Sequence, residues 1–160
     1  MTTSPFPFVA GAVLAAADLN ELGNWDTFSP TLTNVTVGNG TESAFYCQLG
    51  SGTTDGLVAW YYELLFGSTT AITGSVTITY PVSAVGSRRA SQVSTVFCED
   101  SSGTDYYGTL FRNTASVGTV RVFNSSATYL KTTNLGASVP FTWSSGDRLG
   151  IGGVYQSAAS

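Results

Sequence analysis

From Thr31 onward one pattern limits the fold more than any other feature. Short runs alternate in character with a period of two, and clusters of Gly, Ser, Thr and Asn separate them. That period belongs to β-strands, whose successive side chains point to opposite faces, and not to helices. Thr31, Thr33, Val35 and Val37 form the first run, and Gly38-Asn39-Gly40 supplies a turn. Glu42 to Leu49 follows, then a Gly/Ser/Thr loop over 50–56. Leu57 to Phe66 is long and largely apolar. Its aromatics and bounding turns favour a strand buried on both faces, while the helix formers between Tyr61 and Leu65 leave a helix open. Val76, Ile78 and Tyr80 alternate and stop at Pro81. Further strand candidates are Val93 to Glu99, Tyr106 to Arg112, Thr119 to Asn124, Ala127 to Thr132, Val139 to Trp143 and Arg148 to Gln156. Strands this short and this evenly spaced predict an all-β fold, an antiparallel β-sandwich of jelly-roll type.

The first 25 residues read differently. Pro5 and Pro7 bias the start towards extended backbone. Leu14 to Leu22 is rich in Ala and Leu, and Gly23 is placed to end a short helix. A helix of two turns is not stable alone, so it must pack on something. The expected organisation is an N-terminal attachment arm with one short helix over 1–25, followed by a β domain over 26–160. Phe6, Phe8, Val9, Val13, Leu14, Leu19 and Leu22 are the arm's apolar contacts.

Charged residues make up 10% of the chain, against about 25% in ordinary soluble domains. A surface so poor in charge suits a protein covered by partners or by copies of itself. The net charge is −4 and unevenly placed. No basic residue precedes Arg88, so the first half is purely acidic and could dock on the more basic second half. No basic stripe points to nucleic acid. Phe6 to Ala17 has the texture of a signal-peptide core, but no Lys or Arg precedes it, and it is too short to span a bilayer. The expectation is synthesis in a cytoplasm, no membrane partner, and reduced, buried Cys47 and Cys98.

The residues that usually carry catalysis are scarce. There is no His, which removes the commonest general base and metal ligand. The two Cys stand too far apart for a Cys-rich zinc site. Gly150-Ile151-Gly152-Gly153 lies in a late strand with no Lys or helix after it, so it is no phosphate loop. Paired carboxylates are the remaining enzymatic route: Glu99, Asp100 and Asp105 cluster in sequence, and Glu63 and Asp147 could join them. The expectation is a non-enzymatic protein with no catalytic, cofactor-binding or metal residue. Aromatics offer a binding route by stacking on sugar rings, with Tyr106, Tyr107 and Tyr129 as candidate ligand-facing residues. In Trp60-Tyr61-Tyr62, alternation sends Tyr61 to one face and its neighbours to the other.

Two segments carry a family resemblance. The run Phe8-Val9-Ala10-Gly11-Ala12-Val13-Leu14-Ala15-Ala16-Ala17-Asp18-Leu19-Asn20 resembles the N-terminal arm of small virion proteins of tailed bacteriophages. Ala15 stands where those arms usually carry a helix-capping Thr. Pro140-Phe141-Thr142-Trp143-Ser144-Ser145-Gly146-Asp147-Arg148-Leu149, with Tyr155 beyond it, is similar to their closing hairpin. The resemblance implies a virion component, often trimeric, assembled in the bacterial host cytoplasm. Two roles stay open. One is a capsid decoration protein, a cement or head-fibre protein held to the major capsid protein or other virion proteins by its arm. The other is a tail-associated fibre or tip protein binding a host surface glycan or protein.

Overall fold

The computed structural model describes residues 24–49, 56–85, 93–125 and 129–158. The attachment arm, with its expected Leu14 to Leu22 helix and apolar contacts, lies outside them. The strands are β1 (Asp26–Thr27), β2 (Leu32–Thr36), β3 (Thr41–Leu49), β4 (Gly56–Leu65), β5 (Ala71–Thr79), β6 (Val93–Asp100), β7 (Thr104–Arg112), β8 (Val117–Asn124), β9 (Lys131–Asn134) and β10 (Arg148–Ser157). Every pairing is antiparallel.

The all-β expectation holds, but the layering differs from a sandwich. The strands hydrogen-bond into one sheet in the order β1-β3-β4-β10-β6-β7-β8-β5-β2, with β9 added on β8. No break in that path divides it into two packed sheets; it curls into a half-barrel instead. Chain length forces the curl. A flat path of nine strands would set its edges about 38 Å apart at about 4.8 Å per step. Yet β1 and β2 lie at opposite edges, and only residues 28–31 join them. Five Cα steps reach about 17 Å at most, so the edges must come together.

Curling turns one face inward. Along β4 every second residue is buried, ending in Trp60, Tyr62 and Leu64, while Leu57 and Tyr61 are exposed. The run is therefore a strand, as preferred from its aromatics, but buried on one face and not on both. Ile151 and Tyr155 of β10, Val96 and Cys98 of β6, and Val120 and Val122 of β8 complete the inner face. Phe28, in the link between the edges, meets Tyr46 and Trp60 edge-on at 5.9 and 6.2 Å. Trp60 continues to Tyr80, and Tyr80 to Tyr155, at 5.9 and 5.3 Å. The Tyr155 hydroxyl donates to the Val82 carbonyl at 2.6 Å and accepts from its N–H at 3.1 Å.

The stretch after β9 corrects two expectations. Val139 to Trp143 is not a strand. It holds a cis Val139-Pro140 bond and folds across one end of the core. There Phe141 packs on Tyr106 and Trp143 at 5.4 and 4.5 Å, and Trp143 stacks on Phe66 at 4.7 Å. Nor does Pro140 to Leu149 close a hairpin, because β10 inserts between β4 and β6 in mid-sheet. Of the expected Ala127 to Thr132 strand, residues 127 and 128 lie outside the described residues, 129 and 130 are not strand, and the strand runs over Lys131–Asn134.

Candidate functional site

The outer face of the sheet carries the unusual surface. Reading the registers across the strands gives one lateral row: Phe45 on β3, Tyr61 on β4, Gly152 on β10, Thr95 on β6 and Thr109 on β7. The neighbouring row is Glu63, Gly150, Phe97, Tyr107. The large hydrophobic residues Phe45, Leu49, Leu57, Tyr61 and Val154 are exposed on one side of β10 or at its end, and Tyr107, Phe111 and Phe123 on the other. Monomeric proteins seldom leave contiguous apolar surface of this kind without a use for it.

Between the two groups runs a bare lane. Gly150 and Gly152 face outward from β10, flanked by β4 and β6. On the β4 side Phe45 and Tyr61 lie nearly parallel, 7° between planes and 6.4 Å between centroids. On the β6 side Phe97 and Tyr107 meet at 5.6 Å. At one end of the lane Arg148 stands between two carboxylates, 3.6 Å from Glu63 and 3.5 Å from Glu99. The Glu63 carboxylate also neighbours the Tyr61 hydroxyl; burial, and then that negative charge, raise the phenol above its ordinary pKa. Exposed ion pairs contribute only about 0–1 kcal/mol each to stability, so this trio is a weak fastening and an available set of donors and acceptors.

The sequence-derived candidates distribute unevenly. Tyr107 faces outward beside the lane and is 54% exposed. Tyr106 points inward onto Phe141. Tyr129 is 82% exposed in the connection before β9, away from the other two in the chain path. The three therefore do not form one patch. Of the carboxylates, Glu63 and Glu99 do meet, through Arg148. Asp147 does not join them: it is fully buried and accepts from the N–H groups of Ser101 at 2.9 Å and Ser144 at 2.5 Å. Asp100 accepts from the Ser102 N–H within the β6–β7 turn, which lowers its pKa. Phe45, Phe97 and the two glycines were not singled out from sequence as site residues.

Arg88 and Arg89 lie outside the described residues; among those described, the arginines are spread over separate contacts. Arg112 is buried and gives its N–H groups to the carbonyls of Thr114 and Val85. Arg121 sits 4.1 Å above the Phe111 ring. A second concavity of about 350 Å³ lies at the β1–β3 edge, lined by Asn24, Asp26, Tyr46 and Gln48. Cys47 and Cys98 are both free and buried. Two strands separate theirs in the sheet, so they cannot bridge. No group of His, Cys, Asp and Glu suited to a metal ion occurs among the described residues. No family model, no curated protein and no solved structure matches this chain.

Proposed function

We propose that this chain is a non-enzymatic surface component of a tailed-phage virion, a capsid decoration protein of the cement or head-fibre kind. In this reading residues 1–25 hold it to the particle and the curled sheet projects, presenting its outer face. The observation that supports the reading is that face: aromatic residues stand exposed on both sides of a bare strand centre, where a self-contained protein would carry charge. Asn24 and Trp25, where the arm joins, are also exposed, at the edge of the sheet beside β1. An arm leaving an edge can reach a neighbour without disturbing the core. The charge-poor composition also suits a homotrimer. The outer face favours a second reading, a tail-associated fibre or tip protein that binds a host surface glycan or protein.

Particles assembled with the full chain, or with residues 2–25 deleted, test the proposal. The full chain is expected in purified particles and the deleted form, folded and soluble, only outside them. Full incorporation of the deleted form would refute attachment by the arm. Many copies relative to the major capsid protein identify decoration, and a handful identifies the tail. Light scattering of the isolated full chain is expected to give a trimer mass; a monomer at micromolar concentration would refute an autonomous trimer.

A further inference from the structure

We propose that the lane along β10 is a binding site for a carbohydrate chain built of neutral or amino sugars. The inference deepens the reading of the outer face as a presenting surface, and rests on it only for where that face is displayed.

The glycines carry the first part of the argument. Glycine inside a strand weakens it, and it commonly marks a place where something must approach closely. Gly108 illustrates a glycine that packing requires: a Cβ there would stand 1.9 Å from the Arg121 carbonyl oxygen. Gly150 is different. A Cβ there would meet nothing nearer than 3.8 Å, and its φ is not positive. A Cβ at Gly152 would come to 3.3 Å of the Trp60 carbonyl oxygen, a tight contact and not a prohibitive one. Neither the backbone nor the neighbours of Gly150 ask for glycine. Its absent side chain leaves a partly exposed stretch of backbone on the outer face, with the Phe97 side chain in ordinary contact beside it.

The walls and the end of the lane say what fits there. Tyr61 and Phe97 rise from strands two spacings apart, about 10 Å, with Phe45 and Tyr107 extending each wall. A pyranose ring offers an apolar C–H face to such aromatic rings and a rim of hydroxyls to planar polar groups. The planar groups stand at the lane's end: the carboxylates of Glu63 and Glu99 and the guanidinium of Arg148. Thr95 and Thr109 continue the polar register across β6 and β7. A lipid chain would find no use for the ionic trio, and a flat protein partner would have to desolvate it at a cost. Charge narrows the sugar further. Asp105 is in register with Glu99 across β6 and β7, so three carboxylates lie at the Arg148 end of the lane, while the other arginine of the face, Arg121, is on β8 over the Phe111 ring. That balance repels uronic and sialic acids and tolerates or attracts hydroxyl-only and amino sugars.

Titration calorimetry of the isolated full chain tests this with three soluble probes: gluco-oligosaccharides, glucosamine oligosaccharides and oligogalacturonate. One or both of the first two are expected to bind, and oligogalacturonate is not. Tyr61→Ala is expected to weaken binding about tenfold or more. Gly150→Val is expected to abolish it while leaving the melting temperature unchanged or raised; Gly150→Ala serves the same purpose if the larger side chain impairs folding. Absence of binding by both uncharged and amino probes overturns the proposal, as does binding indifferent to Gly150→Val and Tyr61→Ala. A change of oligomer mass in Gly150→Val, without sugar binding by the parent protein, assigns the lane to a second copy and also overturns it. Binding is read on the isolated protein, so this outcome is independent of whether the chain enters particles.

Discussion

Replacing Asp147 with Ala removes a buried carboxylate that ties two loops together. Its Oδ1 takes the Ser101 N–H at 2.9 Å, and its Oδ2 takes the Ser144 N–H at 2.5 Å and the Ser144 hydroxyl at 3.2 Å. The backbone of the same residue is engaged too, because the Phe66 N–H donates to its carbonyl at 2.9 Å. The carboxylate therefore clamps the turn before β10 against the β6–β7 turn and the end of β4. Hydrogen bonds to a charged group contribute about 1.5–3 kcal/mol each. Ser101 and Ser144 are exposed residues, so water can replace part of what is lost. Taking the lower figure for the two backbone donors gives a loss of about 3 kcal/mol. In a chain of this size about 1 kcal/mol moves the midpoint by about 2–4 °C, so thermal unfolding of Asp147→Ala should shift down by about 6–12 °C. Asp147→Asn keeps one acceptor and turns an amide N–H towards the other donor, so it should fall between the two. A loss below about 1 kcal/mol in Asp147→Ala would refute the clamp.

Two further changes test the core. Burial pushes the Cys98 thiol up to about 12 and also raises Tyr62 and Tyr155. These groups are neutral in the fold and ionise more readily once unfolded, so the stability they contribute is complete below about pH 9 and is lost as pH rises towards 12. The urea midpoint should be lower at pH 11 than at pH 8, Cys98→Ala should narrow the difference, and equal midpoints would contradict the reading. Gly108→Ala places a methyl group 1.9 Å from the Arg121 carbonyl oxygen and 2.8 Å from the Val122 Cα. It should cost about 1–3 kcal/mol or more, or yield no soluble protein; a variant as stable as the parent would show that β7 and β8 lie farther apart.

The strands were legible because alternation is a local signal. Thr31 to Val37, Glu42 to Leu49 and Arg148 to Gln156 each match an observed strand to within a residue or two. The face parity of Trp60, Tyr61 and Tyr62 also follows from local alternation. Val139 to Trp143 misled because its apolar residues fill the end of the core from a loop, where burial carries no period. The single sheet was not legible, since strand order depends on partners far apart in the chain. The site was hidden for the same reason. Tyr61 and Phe97 become the two walls of one lane only when β10 comes between β4 and β6. Glycines at alternate positions of a strand, 150 and 152, were the one local sign of it.

The placement of β10 has a consequence for how the chain is made. It is synthesised after every strand it joins, yet it occupies the middle of the sheet. Until it arrives, β4 and β6 present long unpaired edges, the kind of surface on which chains add to one another. The partly made protein is thus two separate half-sheets, one ending at β4 and the other at β6. Their joining waits on contacts between residues distant in sequence, which form slowly. Aggregation during synthesis is then a hazard built into this strand order. A chain cut short before Arg148 should associate through both open edges, and supplying the missing strand as a separate peptide should suppress that association.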